Sequence, residues 1–462
     1  MLAIIKDTSV YALGDILTKG IGFFAIIFYT HFISQTEMGA YGYILVIMGF
    51  ANTFLVLGAD NAYARYFFEC KTEEDRQLLT TTLFTFLSIW VVLVLIIPII
   101  YSDTISLKLF ENNDYGMALF LALLSLPLKL LSTMSNQVLR NQFQTKKFIS
   151  YNFFTALITI VSAILLLNFT NFGIGSIFLG MIIADSIIMP FRIYAIKNLF
   201  VKKVDFSIMK KILAYGIPFL PASIAYWVFS SADRIMLESM SSLESVGIYT
   251  VAVTLAAVMS IFASAVGQAW SPHAVKVYEE NPEKARKLYG RFLNVLTGVA
   301  LFIVFSAAML GKEVITYIFP SEYNSIFYPM LFLLIGIGFK ITTQVTAIGI
   351  GLKKKTIYML YITIVVALVN IGLNYLLIPS YDEVGASVAT MISFVLLTSM
   401  YAFVTQKLFR IEYDNDFMLK TIFLLIAIVG LSSLDIIVRI SILVAIFIVM
   451  FKKRDMILEV IR

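Results

Sequence analysis

Fourteen apolar stretches long enough to cross a bilayer succeed one another along the chain, and the positive charge between them alternates from gap to gap. Of 35 lysines and arginines, 28 fall in even-numbered gaps, at the ends or within a few residues of them, while the odd-numbered gaps and their edges hold only Lys108, Lys312 and Arg439. Loops rich in Lys and Arg stay on the cytoplasmic side of a membrane, so the pattern predicts a chain that weaves across with both termini inside. The remaining four cations, Lys19, Lys129, Arg234 and Lys340, lie within apolar stretches and are candidate functional residues.

Composition agrees with this reading. Hydrophobic residues make up 60% of the 462 and charged residues 14%, with a mean hydropathy of +0.89, too little polar surface to coat a soluble body of this length. The formal charge of +6 is then loop charge that sets topology, and nucleic acid is not needed to explain it. The one cysteine, Cys70, excludes an intrachain disulfide. No cleavable signal peptide is evident, and the first crossing is expected to direct insertion itself. Walker A, HExxH, CxxC, GxSxG and Rossmann fingerprints are all missing from the sequence, which predicts a protein that is not an enzyme and needs no cofactor or metal.

A helix needs roughly 20 apolar residues to span about 30 Å of hydrocarbon. By that ruler the fold class is an all-α polytopic membrane protein. The first six crossings are expected near 9–33, 40–66, 78–101, 115–139, 148–169 and 173–195, an N-terminal lobe over 1–195. A basic connector over 196–211 reads as an amphipathic surface helix that turns Lys202, Lys203, Lys210 and Lys211 to lipid phosphates. The next six, near 212–240, 246–271, 290–310, 326–351, 357–378 and 384–406, form a C-terminal lobe over 212–410. Two further helices, 418–434 and 436–451, and a basic tail fill 411–462.

The twelve-helix core looks duplicated. A shift of 208 positions sets Gly39 and Tyr41 of EMGAY on Gly247 and Tyr249 of SVGIY, Asn136 on Gln344 and Lys147 on Lys355; a shift of 210 sets Gly175 on Gly385. Six is an even number, so both copies enter from the same side, related by a pseudo-two-fold axis along the membrane normal. That is a recurring plan of secondary transporters, with the substrate site between the halves.

Lysine or arginine near a helix centre costs about 2.5 to 3.5 kcal/mol on insertion scales, so such residues usually face a bundle interior or a watery cavity. Lys19 and Arg234 stand on the first helix of each half, Lys129 and Lys340 on the fourth. Together they suit an anionic cargo such as a phosphate or carboxylate headgroup. Each has a plainer alternative. Lys19 has Asp15 four residues earlier, Arg234 has Glu238 four residues later, and Lys129 or Lys340 could pair with Asp185 or Asp60. The intramembrane acids Asp15, Asp60, Asp185 and Asp233 are candidate ion-coupling groups, although Asp60 also has Arg65 as a candidate partner. Pro218 and Pro221, with Gly216, allow a bend of the kind a gate needs.

The run YGIPFLPASIAYWVFSSADRIMLESMSSLESVGIYTVA resembles polysaccharide flippases of the Wzx type, within the superfamily that includes multidrug exporters and lipid II flippases. The matching elements are Pro218, Pro221, Asp233-Arg234 and Gly247-x-Tyr249. KGIGFFAIIFYTHFISQTEMGAYGY, LGADNAYARYF and LRNQFQTKK are similar to that family's earlier helices. The resemblance implies a protein of the bacterial cytoplasmic membrane that moves an undecaprenyl-diphosphate-linked oligosaccharide, an O-antigen or capsule repeat unit, to the outer leaflet by alternating access. It implies two lobes around a cationic cavity and two last helices that accommodate the lipid tail, and it leaves open whether the molecule works alone or beside a polysaccharide polymerase and chain-length regulator. Arg234 carries over with the motif; Lys19 shares the family's tendency to place cations in the first helix; Lys129 and Lys340 rest on the charge argument alone. The alternatives are a multidrug exporter of the same superfamily and, further off, a membrane glycosyltransferase or polymerase, for which the loops are short.

Overall fold

The computed structural model describes residues 20–111, 113–432 and 434–441, and among them the regular structure is helical. The first expected crossing is described from α1 (Gly20–Tyr29) onward. Ser34 then caps α2 (Gln35–Val56), its hydroxyl accepting from the Glu37 amide while the Glu37 carboxylate takes the Ser34 amide. After α3 (Ala59–Glu69), Thr72 and Asp75 form the same reciprocal cap on α4 (Glu73–Ile100). The segment after α4, expected as a loop, folds as the short helix α5 (Ser102–Phe110). Then come α6 (Gly116–Asn141), α7 (Thr145–Phe169) and α8 (Gly175–Ile196). Along its 25 residues α7 buries only Thr145 and Ala163, so its apolar sides are left for lipid. Its contact with α8 is close because Gly180 has no side chain: a Cβ there would lie 2.9 Å from the Thr159 carbonyl.

The connector differs from expectation. It is a 3-10 turn at Lys197–Leu199, an extended link, and only then α9 (Phe206–Gly216), capped by Asp205. Side chains of α4 satisfy its backbone: Gln77 donates to the Asn198 carbonyl (2.8 Å), and the Thr81 and Thr82 hydroxyls accept from the amides of Val201 (2.9 Å) and Asp205 (3.1 Å). An extended chain that spends its hydrogen bonds on a neighbouring helix has no need to become helical itself.

A second 3-10 turn, Ile217–Phe219, leads into α10 (Leu220–Met240). One compact unit of the chain ends at Ile235, and a second begins at Met236. The second contains α11 (Leu243–Glu280), α12 (Pro282–Ile318), α13 (Phe327–Thr346), α14 (Ile348–Leu352), α15 (Ile357–Leu408) and α16 (Asn415–Leu431). Ten helical segments among the described residues are long and apolar enough to cross a membrane. One of them, α15, is two of the expected crossings run together, since Asp382 breaks it with φ 46° and ψ −128°. Gly385 lies so tightly against the end of the preceding helix that a Cβ would come within 2.5 Å of the Leu377 carbonyl. Each expected crossing from 40–66 to 418–434 coincides with described helix; of the last, 436–451, only the helical start at 436–441 is described.

Equivalent punctuation recurs in the two halves. Ser34 and Ser242, 208 positions apart, both cap the N-terminus of a helix. The turn after α6 closes with the Gln144 amide on the Leu139 carbonyl (2.9 Å) and left-handed Phe143 (φ 58°). The turn after α14 closes with the Lys355 amide on the Ile350 carbonyl (3.0 Å) and left-handed Lys354 (φ 55°).

Candidate functional site

Two helix breaks meet in the first unit. Leu57 (φ 52°) and Gly58 (φ 67°) are both left-handed, which ends α2 and restarts the chain as α3. Pro218 lies in the 3-10 turn between α9 and α10 and Pro221 in the first turn of α10, where neither ring nitrogen can donate to the preceding turn. The breaks touch through glycines: a Cβ on Gly58 would lie 2.4 Å from the Gly216 carbonyl oxygen, and one on Gly216 would lie 2.5 Å from that of Leu57.

On one side of this crossing the Tyr215 ring meets Tyr66 (5.8 Å) and carries the Arg65 guanidinium 4.9 Å above it. On the other, Trp227 of α10 lies against α2, its indole N–H donating to the Val46 carbonyl (3.0 Å) and its ring 4.6 Å from that of Phe50. Between these contacts is an open cleft of about 450 Å³, lined among others by Thr53, Asn61, Ser223, Tyr226, Trp227 and Ser230.

Arg234 is one turn beyond Ser230 on α10. It is half-buried, its amide donates to the Asp233 carboxylate (2.8 Å), and its buried Nε has no hydrogen-bond partner among the described residues. Its charge acts on the buried Tyr41 of α2. Asp233 is only 8% exposed.

The other candidates are dispersed. Lys19 and Asp15 lie outside the described residues. Lys129 is exposed on α6, two residues after Pro127, and Lys340 of the second unit is exposed with its Nζ 5.0 Å from the centre of the Phe394 ring. Neither forms an ion pair among the described residues. Asp60 is in the first turn of α3, where a carboxylate opposes the helix dipole, and accepts from Asn61 (3.4 Å). The Asp60–Arg65 pairing expected from sequence is not formed, because Arg65 is held by Glu69 at 2.8 Å, one helical turn on.

Asp185 accepts from the Ser132 hydroxyl of α6 (2.7 Å) and is 5% exposed. The same serine's carbonyl takes Arg192 (3.2 Å), whose guanidinium also donates to Asn152 Oδ1 (3.2 Å), Thr155 Oγ1 (2.9 Å) and the Tyr151 carbonyl (3.4 Å). Arg192 is 2% exposed, the most deeply placed cation among the described residues of the first unit, and the sequence did not single it out as a candidate. The signal that would have found it is its spacing: Asp185 and Arg192 are seven residues apart, two turns along one helix face. Among the described residues no three His, Cys, Asp or Glu side chains gather as metal ligands.

The chain is similar to known proteins in sequence and in fold. It is 26% identical over 203 residues, 42% of its length, to the capsular polysaccharide biosynthesis protein CapF of Staphylococcus aureus, of which the match covers 50%. It is 24% identical over 220 residues, 46% of its length, to the probable low-salt glycan biosynthesis flippase Agl15 of Haloferax volcanii, of which the match covers 45%. The chain thus spans about half the length of these two relatives. Its fold is that of the lipid II flippase MurJ in an inward closed conformation, with a TM-score of 0.77 over 97% of this chain and 99% of that one at 16% identity. Residues 4–278, more than half of the chain, match a family model described as polysaccharide biosynthesis protein, and the chain belongs to that family.

Proposed function

We propose that the protein is a flippase that carries an undecaprenyl-diphosphate-linked oligosaccharide from the cytoplasmic to the outer leaflet by alternating access, with both of its termini cytoplasmic. A diphosphate and a hydroxyl-rich glycan cannot shed their water into hydrocarbon without a large penalty, so the headgroup needs a polar path across. An outward step by one negative charge gains about 2.3 kcal/mol per 100 mV when the inside is negative, so the membrane potential itself favours export. Ion coupling through Asp60, Asp185 or Asp233 is an addition to this scheme, not a requirement of it. A polymerase and a chain-length regulator are the natural partners of such a step.

The observation that carries the reading is Arg234. Its guanidinium stands half-buried, with an unpartnered Nε, one turn beyond a cleft in which Thr53, Asn61, Ser223 and Ser230 lie among apolar and aromatic side chains. A hydrogen bond to a charged group contributes about 1.5 to 3 kcal/mol, so losing one here should slow cargo capture by about tenfold to a hundredfold. The test is Arg234→Ala in cells, with surface glycan and membrane-inserted protein both measured. Surface glycan should fall and lipid-linked intermediate accumulate at normal protein level. Unchanged glycan after joint neutralisation of Lys19, Lys129, Arg234 and Lys340 refutes a cationic path. A multidrug exporter of the same fold is disfavoured by the same arginine, which repels cationic drugs, and resistance to cationic dyes on expression would restore that reading.

A further inference from the structure

The geometry points to a saccharide subsite in the cleft between α2–α3 and α10, in which Trp227 and Tyr226 present ring faces to a sugar and Asn61 and Ser223 meet its hydroxyls. The inference rests on the flippase reading above and names the part of the cargo that this cleft takes. A pyranose is amphipathic, with an apolar C–H face and a rim of hydroxyls, so a site for it needs a fixed aromatic surface beside short polar side chains. Trp227 is fixed: its N–H is committed to the Val46 carbonyl (3.0 Å), and Phe50 supports its ring at 4.6 Å between centroids. Tyr226 is 62% exposed beside it. Thr53 and Ser230 give their protons to the carbonyls of Gly49 (3.1 Å) and Trp227 (3.1 Å), which leaves each hydroxyl oxygen to accept from a sugar. A volume of about 450 Å³ is within the range of small-molecule sites.

The spacing along α10 ties this cleft to Arg234. Seven residues separate Trp227 from Arg234, which is two turns of one face and about 10 Å of helix rise. That is the length scale that separates a diphosphate from the first sugars attached to it. One helix would therefore read both parts of the headgroup, phosphate at Arg234 and glycan at Trp227.

The experiment uses the full chain in lipid nanodiscs and two probes. One is the glycan released by mild acid from the lipid-linked pool of the same cells, and the other is undecaprenyl phosphate without sugar. Binding is read by calorimetry on the unaltered protein and by fluorescence of Trp227 in a Trp90→Phe, Trp270→Phe background. The released glycan should bind saturably, bind Arg234→Ala equally well, and lose about tenfold in affinity in Trp227→Ala and in Tyr226→Ala, with Trp227→Phe keeping most of it. Tyr226 is exposed, so its variant remains informative even where Trp227→Ala fails to fold. The sugar-free lipid should be insensitive to Tyr226→Ala and weakened by Arg234→Ala. Glycan that does not bind, or that binds Tyr226→Ala undiminished, overturns the subsite; sugar-free lipid that depends on Tyr226 instead makes the cleft a lipid groove and overturns it too. Loss of the Arg234 effect alone overturns the phosphate reading and leaves the subsite standing.

Discussion

Placing a methyl group on either side of the Gly58–Gly216 crossing tests whether the two helix breaks are held by direct backbone contact. Gly58→Ala adds two penalties. Its φ of 67° is left-handed, which costs a residue with a Cβ about 1 to 2 kcal/mol, and that Cβ would sit 2.4 Å from a carbonyl oxygen that cannot rotate away. Overpacking of this kind costs typically 1 to 3 kcal/mol, so the total is about 2 to 5 kcal/mol. Gly216 has helical φ (−77°), so Gly216→Ala meets only the clash, 2.5 Å from the Leu57 oxygen, and should cost about 1 to 3 kcal/mol. Once one methyl has forced the backbones apart the second has less to displace, so the double variant should cost less than the sum of the singles. The assay is unfolding of the purified protein in detergent, with Gly372→Ala as control, since no other group lies within 4 Å of a Cβ at that position in α15. Gly58→Ala as stable as the unaltered protein, or strict additivity with Gly216→Ala, would refute the contact.

Three further outcomes follow from named contacts. Arg192→Met strands the buried Asp185 and several acceptors and should cost about 3 to 5 kcal/mol, recovered in large part by adding Asp185→Leu; unfolding in detergent measures both, and a silent single variant excludes a charge network there. Arg439 is held by both oxygens of Glu313 and by the Met309 carbonyl, and the arginine is 6% exposed against 35% for the acid. Glu313→Gln leaves a buried charge and should destabilise by several kcal/mol, whereas Arg439→Gln leaves an acid that can reach water and should cost about 1 kcal/mol; equal losses contradict that asymmetry. Hydrogen bonds from Ser207, hydroxyl and amide, hold the Asp205 carboxyl below the usual carboxylate range. A depressed pKa gives stability that is present above the unfolded value and lost as pH falls through the folded one, so the Ser207 amide should stay protected from exchange down to below about pH 4. Asp205→Ala should remove that protection at every pH, and a mid-range transition would contradict the cap.

Helices were legible because hydrocarbon leaves a chain little choice: uninterrupted apolar runs between charged gaps must satisfy their own backbone. What escaped is what depends on partners. Arg192 looked like a loop cation because it is near the end of an expected crossing, yet α8 carries it inward to Ser132, Asn152 and Thr155. Arg65 had two acids within reach on paper, and helical spacing favours Glu69 at four residues over Asp60 at five. The three cations that broke the charge alternation are instructive. Arg439 is neutralised by Glu313, and Lys312 sits over the rings of Phe327 and Tyr328 at 5.2 and 5.4 Å. Lys108 is exposed on α5. The cleft itself could not be read beforehand, because it is made by two breaks that are far apart in the chain and the left-handed pair at Leu57 and Gly58 has no unique sequence sign.

The link between α8 and α9 carries a mechanical consequence. Because Gln77, Thr81 and Thr82 seize its amides and carbonyls directly, this stretch behaves as a strut with no slack, and α9 cannot slide along its own axis without pulling on α4. Extra residues inserted between Leu199 and Asp205 would uncouple that motion at once, while the same insertion at a freely hanging linker would be absorbed without effect.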